Sequence, residues 1–146
     1  PMATPRNDTA QQLARGVGRL LTHLGYHSLT EFTLGSGWRA DLASLDRKGH
    51  ITIVEIKSSV VDFCADQKWR EYLDCCDFFL CGAAGFFRRI FPDDPGFIIA
   101  DAYSADIACP APANPNSLHA SRRREVTLRF GRAAAKRLRA LEDPRP

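Results

Sequence analysis

Residues 39–57 read RADLASLDRKGHITIVEIK, and the folding of this stretch decides the rest of the chain. Leu42 to Leu45 and Ile51 to Ile56 have the apolar, partly β-branched character of strands, and the charged run between them is a turn. Arg47-Lys48-Gly49 fits a three-residue hairpin loop, a type I turn followed by a left-handed residue that glycine adopts without strain. That loop sets Asp46 opposite His50 and Leu45 opposite Ile51. Counting down the ladder, it sets Asp41 opposite Glu55.

Directly opposed residues have Cβ atoms about 5 Å apart. Two carboxylates at that separation repel unless something neutralises them. Side chains two apart on a strand share a face, so Arg39 is expected beside Asp41 and Lys57 beside Glu55. Two readings follow. The four groups can form a solvated, self-neutralising strand face. Alternatively, Asp41 and Glu55 hold Mg²⁺ or Mn²⁺, which prefer hard oxygen ligands and commonly take only one or two protein carboxylates. The backbone carbonyl of Ile56 is within reach as a further ligand, Lys57 can orient a water or stabilise developing charge, and Arg39 can hold a flanking phosphate. The chemistry of such a site is phosphodiester hydrolysis.

Upstream, Leu13, Val17, Leu20, Leu21 and Leu24 recur at helical spacing, predicting a helix over 8–24 that stops at Gly25. Gly16 and Gly18 are unfavourable inside a helix and point to close packing on the sheet. Residues 26–34 read as a first strand, 38–45 as a second and 51–57 as a third. The third is apolar on both faces and therefore central. A three-residue loop at 35–37 places Glu31 opposite Asp41, either as a third carboxylate or as a partner for Arg39. A helix is expected over 61–76 with an apolar stripe of Ala65, Trp69, Tyr72, Leu73 and Cys76, and with Gln67, Lys68 and Tyr72 nearer its boundary and within reach of substrate phosphate. Strands follow over 77–82 and 97–103. Asp101 then shares a face with Phe97 and Ile99, as a partner for a buried group or at the edge of the site. The aromatic cluster around Phe86 reads as core cover, and residues 109–117, rich in proline, as a linker. The last helix is expected over 121–141 with an apolar stripe of Phe130, Ala134, Leu138 and Leu141. Arg129, Arg132, Lys136 and Arg139 line its opposite face.

The 146 residues are 45% hydrophobic and 25% charged, the balance of a single globular domain. Residues 1–10 read as a disordered N-terminus and 11–146 as the domain. No apolar run is long enough to span a membrane, nothing resembles a signal peptide, and an odd number of cysteines, without Cys-x-x-Cys and mostly within apolar segments, suits a reduced, cytoplasmic setting. Residues 1–120 carry 11 basic and 14 acidic side chains, whereas 121–146 carry 9 basic and 3 acidic. That asymmetry favours an anionic partner for the last helix, in keeping with DNA, although a basic stripe is also what a solvated surface looks like.

An Asp on one strand of a hairpin and Glu-x-Lys on the next, followed by a helix, resembles the PD-(D/E)xK nuclease superfamily. A longer match covers nearly the whole chain beyond residue 10: the segment 14–34, Gly37-Trp38-Arg39-Ala40-Asp41, Ile53 to Ser59, Asp66-x-Lys68-Trp69, Gly96-x-Ile98-Ile99-Ala100-Asp101-Ala102-Tyr103 and Leu128-Arg129-Phe130-x-Arg132-Ala133 resemble the MmcB-type DNA-repair family. The resemblance implies a restriction-endonuclease-like α/β fold, an αβββαβ core with a central mixed sheet flanked by helices, plus the basic C-terminal helix. It also implies bacterial DNA repair on damaged, branched or single-stranded DNA, with Asp41, Glu55 and Lys57 in the catalytic and metal roles. Two functions stay open: a metal-dependent deoxyribonuclease, or a DNA-binding repair accessory that keeps the fold without cutting. The chain departs from the superfamily pattern at Ala40, where proline is usual. Its first helix lacks a Glu, so a second cation would require Glu31.

Overall fold

The computed structural model describes residues 8–57, 69–85, 95–114 and 118–145. Helix α1 (Asp8–His23) is followed by strands β1 (His27–Thr33), β2 (Arg39–Leu45) and β3 (Ile51–Ile56). A short helix α2 (Trp69–Tyr72), strands β4 (Phe78–Ala83), β5 (Gly96–Ala100) and β6 (Ala105–Cys109) and a long helix α3 (Ala120–Glu142) complete the chain. The six strands form one mixed sheet in sequence order, β1 to β6. Its two middle pairings, β3 with β4 and β4 with β5, are parallel and the others antiparallel. This is the expected mixed α/β architecture.

The predicted hairpin register holds. Leu45 pairs with Ile51 and Leu42 with Val54, the Asp46 amide donates to the His50 carbonyl, and Gly49 takes the left-handed conformation at φ 88°. The Asp46 carboxylate also accepts the amides of Lys48 and His50, closing the turn. The third strand is central: Ile51, Thr52, Ile53 and Val54 are all buried.

The sheet separates two cores. On one face α1 packs Leu13, Val17 and Leu21 onto Leu42, Val54, Leu80 and Ile98. On the other, Ala43, Ile53, Phe79 and Phe97 are covered by Trp69 and Tyr72 of α2 and by Val126, Phe130 and Ala133 of α3. None of the described helices is long and apolar enough to cross a membrane.

The first helix starts at Asp8, as the expected 8–24 helix does, and ends at His23. Several expectations change. Gly16 packs tightly not on a strand but on the turn after β5, where an added Cβ would meet the carbonyls of Asp101 and Ser104. The fifth strand stops at Ala100, and a sixth, β6, occupies residues assigned to no element and the first residue of the predicted linker. Asp101 is therefore neither in the core nor at the site. It is exposed and caps the β5–β6 turn, its carboxylate accepting the amides of Tyr103 and Ser104. The helix after β3 ends at Tyr72 rather than Cys76, and its expected first part at 61–68 lies outside the described residues, as does the Phe86 cluster. The predicted α3 stripe holds at Phe130 but fails distally. Val126 is the residue buried, while Leu138 and Leu141 are 57% and 80% exposed.

Candidate functional site

The site is built where the β2–β3 ladder stops. The last regular pair is Leu42 with Val54. One residue further, Asp41 and Glu55 stand in the same register, but side chains replace the backbone bonds. Glu55 Oε1 accepts the Asp41 amide at 3.0 Å. Asp41 Oδ2 accepts the Ile56 amide at 2.8 Å. Each carboxylate is thus anchored to the opposite strand. The Ile56 amide is thereby turned towards β2 and Asp41.

Burial pushes the Glu55 carboxyl up, the neighbouring Asp41 charge pushes it further, and together they carry it from 4.5 to about 8, against the opposing charge of Lys57. Without a cation, both effects favour the protonated form of Glu55. Lys57 is half-buried, and its amide continues the parallel ladder by donating to the Gly82 carbonyl.

The adjacent edge strand is distorted at the same level. In β1 the register runs Thr30 with Leu42 and Phe32 with Ala40, which leaves Glu31 level with Asp41 but outside the ladder. Glu31 has a φ of 50°, a left-handed conformation costing a non-glycine residue roughly 1–2 kcal/mol. Its carbonyl turns out to receive Arg137 Nη2 at 3.0 Å. Strand alternation breaks here: Leu42 belongs to the α1 core, whereas Ala40 and Phe32 belong to the opposite one. The expectation that Arg39 and Asp41 share a face assumed unbroken alternation, and the break removes its basis.

The other predicted contacts divide. Arg39 has an exposed side chain, and its carbonyl receives the Tyr72 hydroxyl at 3.3 Å. Tyr72, expected near substrate phosphate, is instead buried, stacked on Phe79 and edge-on to Trp38. Its position makes it a core residue that props the segment entering the site. Lys68 lies outside the described residues. On α3, Arg129 pairs with Glu125 and Arg139 with Asp143, whereas Arg132 and Lys136 line an open groove between α3 and β1. Arg123, part of the basic run 122–124, is structural and forks onto Asp77.

Sequence reading missed a second groove, between α1 and β1. Gln11, Arg15, Arg19 and Thr22 line one wall and Ser28, Thr30 and Glu31 the other. Its signal was present in the spacing of residues 11, 15, 19 and 22, one polar stripe of a helix.

Among the described residues no group of three or more His, Cys, Asp or Glu side chains is arranged to ligate a metal. The carboxylates brought together are the pair Asp41 and Glu55, with the Ile56 backbone beside them.

The chain is similar to a protein of unknown function from Silicibacter pomeroyi, with 41% identity over 94% of both chains and a TM-score of 0.83. A repair endonuclease from Pyrococcus abyssi aligns with 59% of this chain and 42% of its own, at 14% identity and a TM-score of 0.41. No curated protein matches. The model of the MmcB-like DNA-repair proteins matches residues 2–145. The chain belongs to the MmcB-like DNA-repair protein family.

Proposed function

We propose that the protein is a DNA-repair nuclease that hydrolyses phosphodiester bonds with Mg²⁺ or Mn²⁺ at Asp41 and Glu55. The observation that carries this reading is the cross-strand anchoring of the two carboxylates. Asp41 is fixed by the Ile56 amide and Glu55 by the Asp41 amide. A merely solvated acidic face has no need of such fixing, nor of burying one acid beside another.

The donor set fits a hard divalent cation. Two carboxylates and a backbone carbonyl are what Mg²⁺ accepts when water and phosphate oxygens complete its shell. Asp41, Glu55 and the Ile56 carbonyl would hold it. Bound there, it would activate a water and take up negative charge on the phosphate. Lys57, whose charge already acts on Glu55, would orient that water or steady the charge that develops. Arg39, exposed beside the site, can hold the next phosphate along the strand. Arg132 and Lys136 supply sequence-independent backbone contacts.

Calorimetric titration of Mg²⁺ and Mn²⁺ into wild type and Asp41→Ala, with and without short branched DNA, tests this. Binding that disappears in the variant, together with cleavage that requires the ion, is the expected result. DNA binding without any metal binding would replace it with a non-catalytic repair accessory that keeps the fold.

A further inference from the structure

The two grooves beside β1 lie on opposite faces of the sheet, one under α1 and one under α3. They meet at Glu31, which lines both and stands level with Asp41. Each is an open trough, about 720 Å³ on the α1 side and about 750 Å³ on the α3 side. Each also has a basic wall. Arg15 and Arg19 serve the first, and Arg132 and Lys136 the second. Among the described residues Arg15, Arg132 and Lys136 have no carboxylate partner. The α1 groove also holds the Ser28 hydroxyl oxygen, buried and without a hydrogen-bond partner.

We propose that single-stranded DNA occupies both grooves, passing from the α3 side to the α1 side around the edge of the sheet at Glu31. This rests on the DNA reading above and names the form of DNA. A duplex has a persistence length of about 50 nm and cannot turn around the edge of one strand. A single strand can. The break in strand alternation at Glu31 and Asp41 lies at the turning point, so a chain following this path crosses next to the paired carboxylates. Two acidic residues lie along the path: Glu31 at the crossing and Glu125, which is ion-paired to Arg129.

The experiment is fluorescence anisotropy in chelator, so that nothing is cut. A labelled single-stranded oligonucleotide is compared with a blunt duplex of the same sequence across a salt series. Wild type is set beside Arg15→Gln, Arg15→Glu and the pair Arg132→Gln with Lys136→Gln, with circular dichroism as the folding control. The single strand should bind more tightly than the duplex. Arg15→Gln should lower the slope of log affinity against log salt by about 0.7, and the α3 pair by about 1.4. A slope unchanged in both Arg15 variants but reduced in the α3 pair overturns the two-groove path and leaves DNA binding standing. Tighter binding to the duplex also overturns the path alone. No binding of either DNA overturns the path and the proposed function together.

Discussion

Glu55 Oε1 receives the amide of Asp41 at 3.0 Å, so one acid of the pair is held by the main chain of the other. That arrangement keeps the carboxyls together in the absence of any cation, and burial and the Asp41 charge then move Glu55 from 4.5 to about 8. The folded state holds a proton between those values that the unfolded chain releases. The contribution of this carboxyl to stability is therefore fully present below pH 4.5 and falls as pH rises towards 8. In chelator, the melting temperature should decline across that window in wild type and stay flatter in Glu55→Gln. Mn²⁺ should raise it more at pH 8 than at pH 6, because the ion displaces the proton. A flat wild-type profile in chelator would show that Glu55 does not retain the proton.

Asp41→Asn is a sharper probe of chemistry than Asp41→Ala, because the amide oxygen can still accept the Ile56 N–H. The variant should fold and bind DNA as wild type does, yet lose cleavage by at least about 100-fold. Lys57→Met should lose about 100–1,000-fold, the usual cost of removing one group aimed at developing charge. Cleavage at the wild-type rate in both variants would move the reaction away from this strand pair.

Arg123 ties three segments together. Its guanidinium forks onto Asp77 at 2.7 and 2.8 Å and also reaches the Gly49 carbonyl at 2.8 Å, while Asp77 accepts the Ile51 amide. Burial alone would raise the Asp77 carboxyl, but the bonds from Arg123 and Ile51 outweigh it and hold it below 3.8. Its contribution is present above that value and lost as pH falls through the lowered one. Asp77→Asn should cost about 1.5–3 kcal/mol in urea unfolding at neutral pH and flatten the acid limb. Arg123→Met should destabilise similarly without altering the salt slope of DNA binding, since this arginine is already committed within the fold.

The central hairpin was legible because its turn residues and its apolar run enforce one register. Asp41 and Glu55 stand where the count from Gly49 places them. The level of Glu31 was also legible, but its left-handed backbone was not, because nothing in a Thr-Glu-Phe sequence announces φ above zero. That one residue changed which face Ala40 and Phe32 cover. Tyr72 was legible as part of the apolar stripe of its helix, and it is buried, although its nearness to the boundary also suggested a phosphate contact. Its burial depends on Phe79 and Trp38, which come from other parts of the chain. β6 was missed because its alternation is weak: Asp106, Ile107 and Ala108 are all exposed on an edge strand. Leu138 and Leu141 have the spacing of an apolar stripe, but both are exposed, because spacing along a helix does not say how far its covered face runs.

Gly16 and Gly131 separate helix propensity from packing within one molecule. Both sit inside long helices, where alanine is intrinsically favoured by about 1 kcal/mol. At Gly131 an added methyl meets no atom within 4 Å, so Gly131→Ala should stabilise by roughly 0.5–1 kcal/mol. At Gly16 the same methyl would collide with the Asp101 carbonyl oxygen and lie 2.8 Å from that of Ser104. Both are backbone atoms, fixed by the turn that Asp101 caps and by the Asp101 amide bonded to the Ser104 carbonyl. They cannot swing aside as a side chain would. Gly16→Ala must therefore push α1 off the β5–β6 turn, weakening the Arg19 bond to the Tyr103 carbonyl as well. Overpacking of this kind costs about 1–3 kcal/mol, and against fixed backbone atoms it outweighs the gain in propensity. Urea denaturation of the two variants side by side should move the midpoint in opposite directions. Movement in the same direction would mean that α1 does not lie as close to that turn as the carbonyl contacts require.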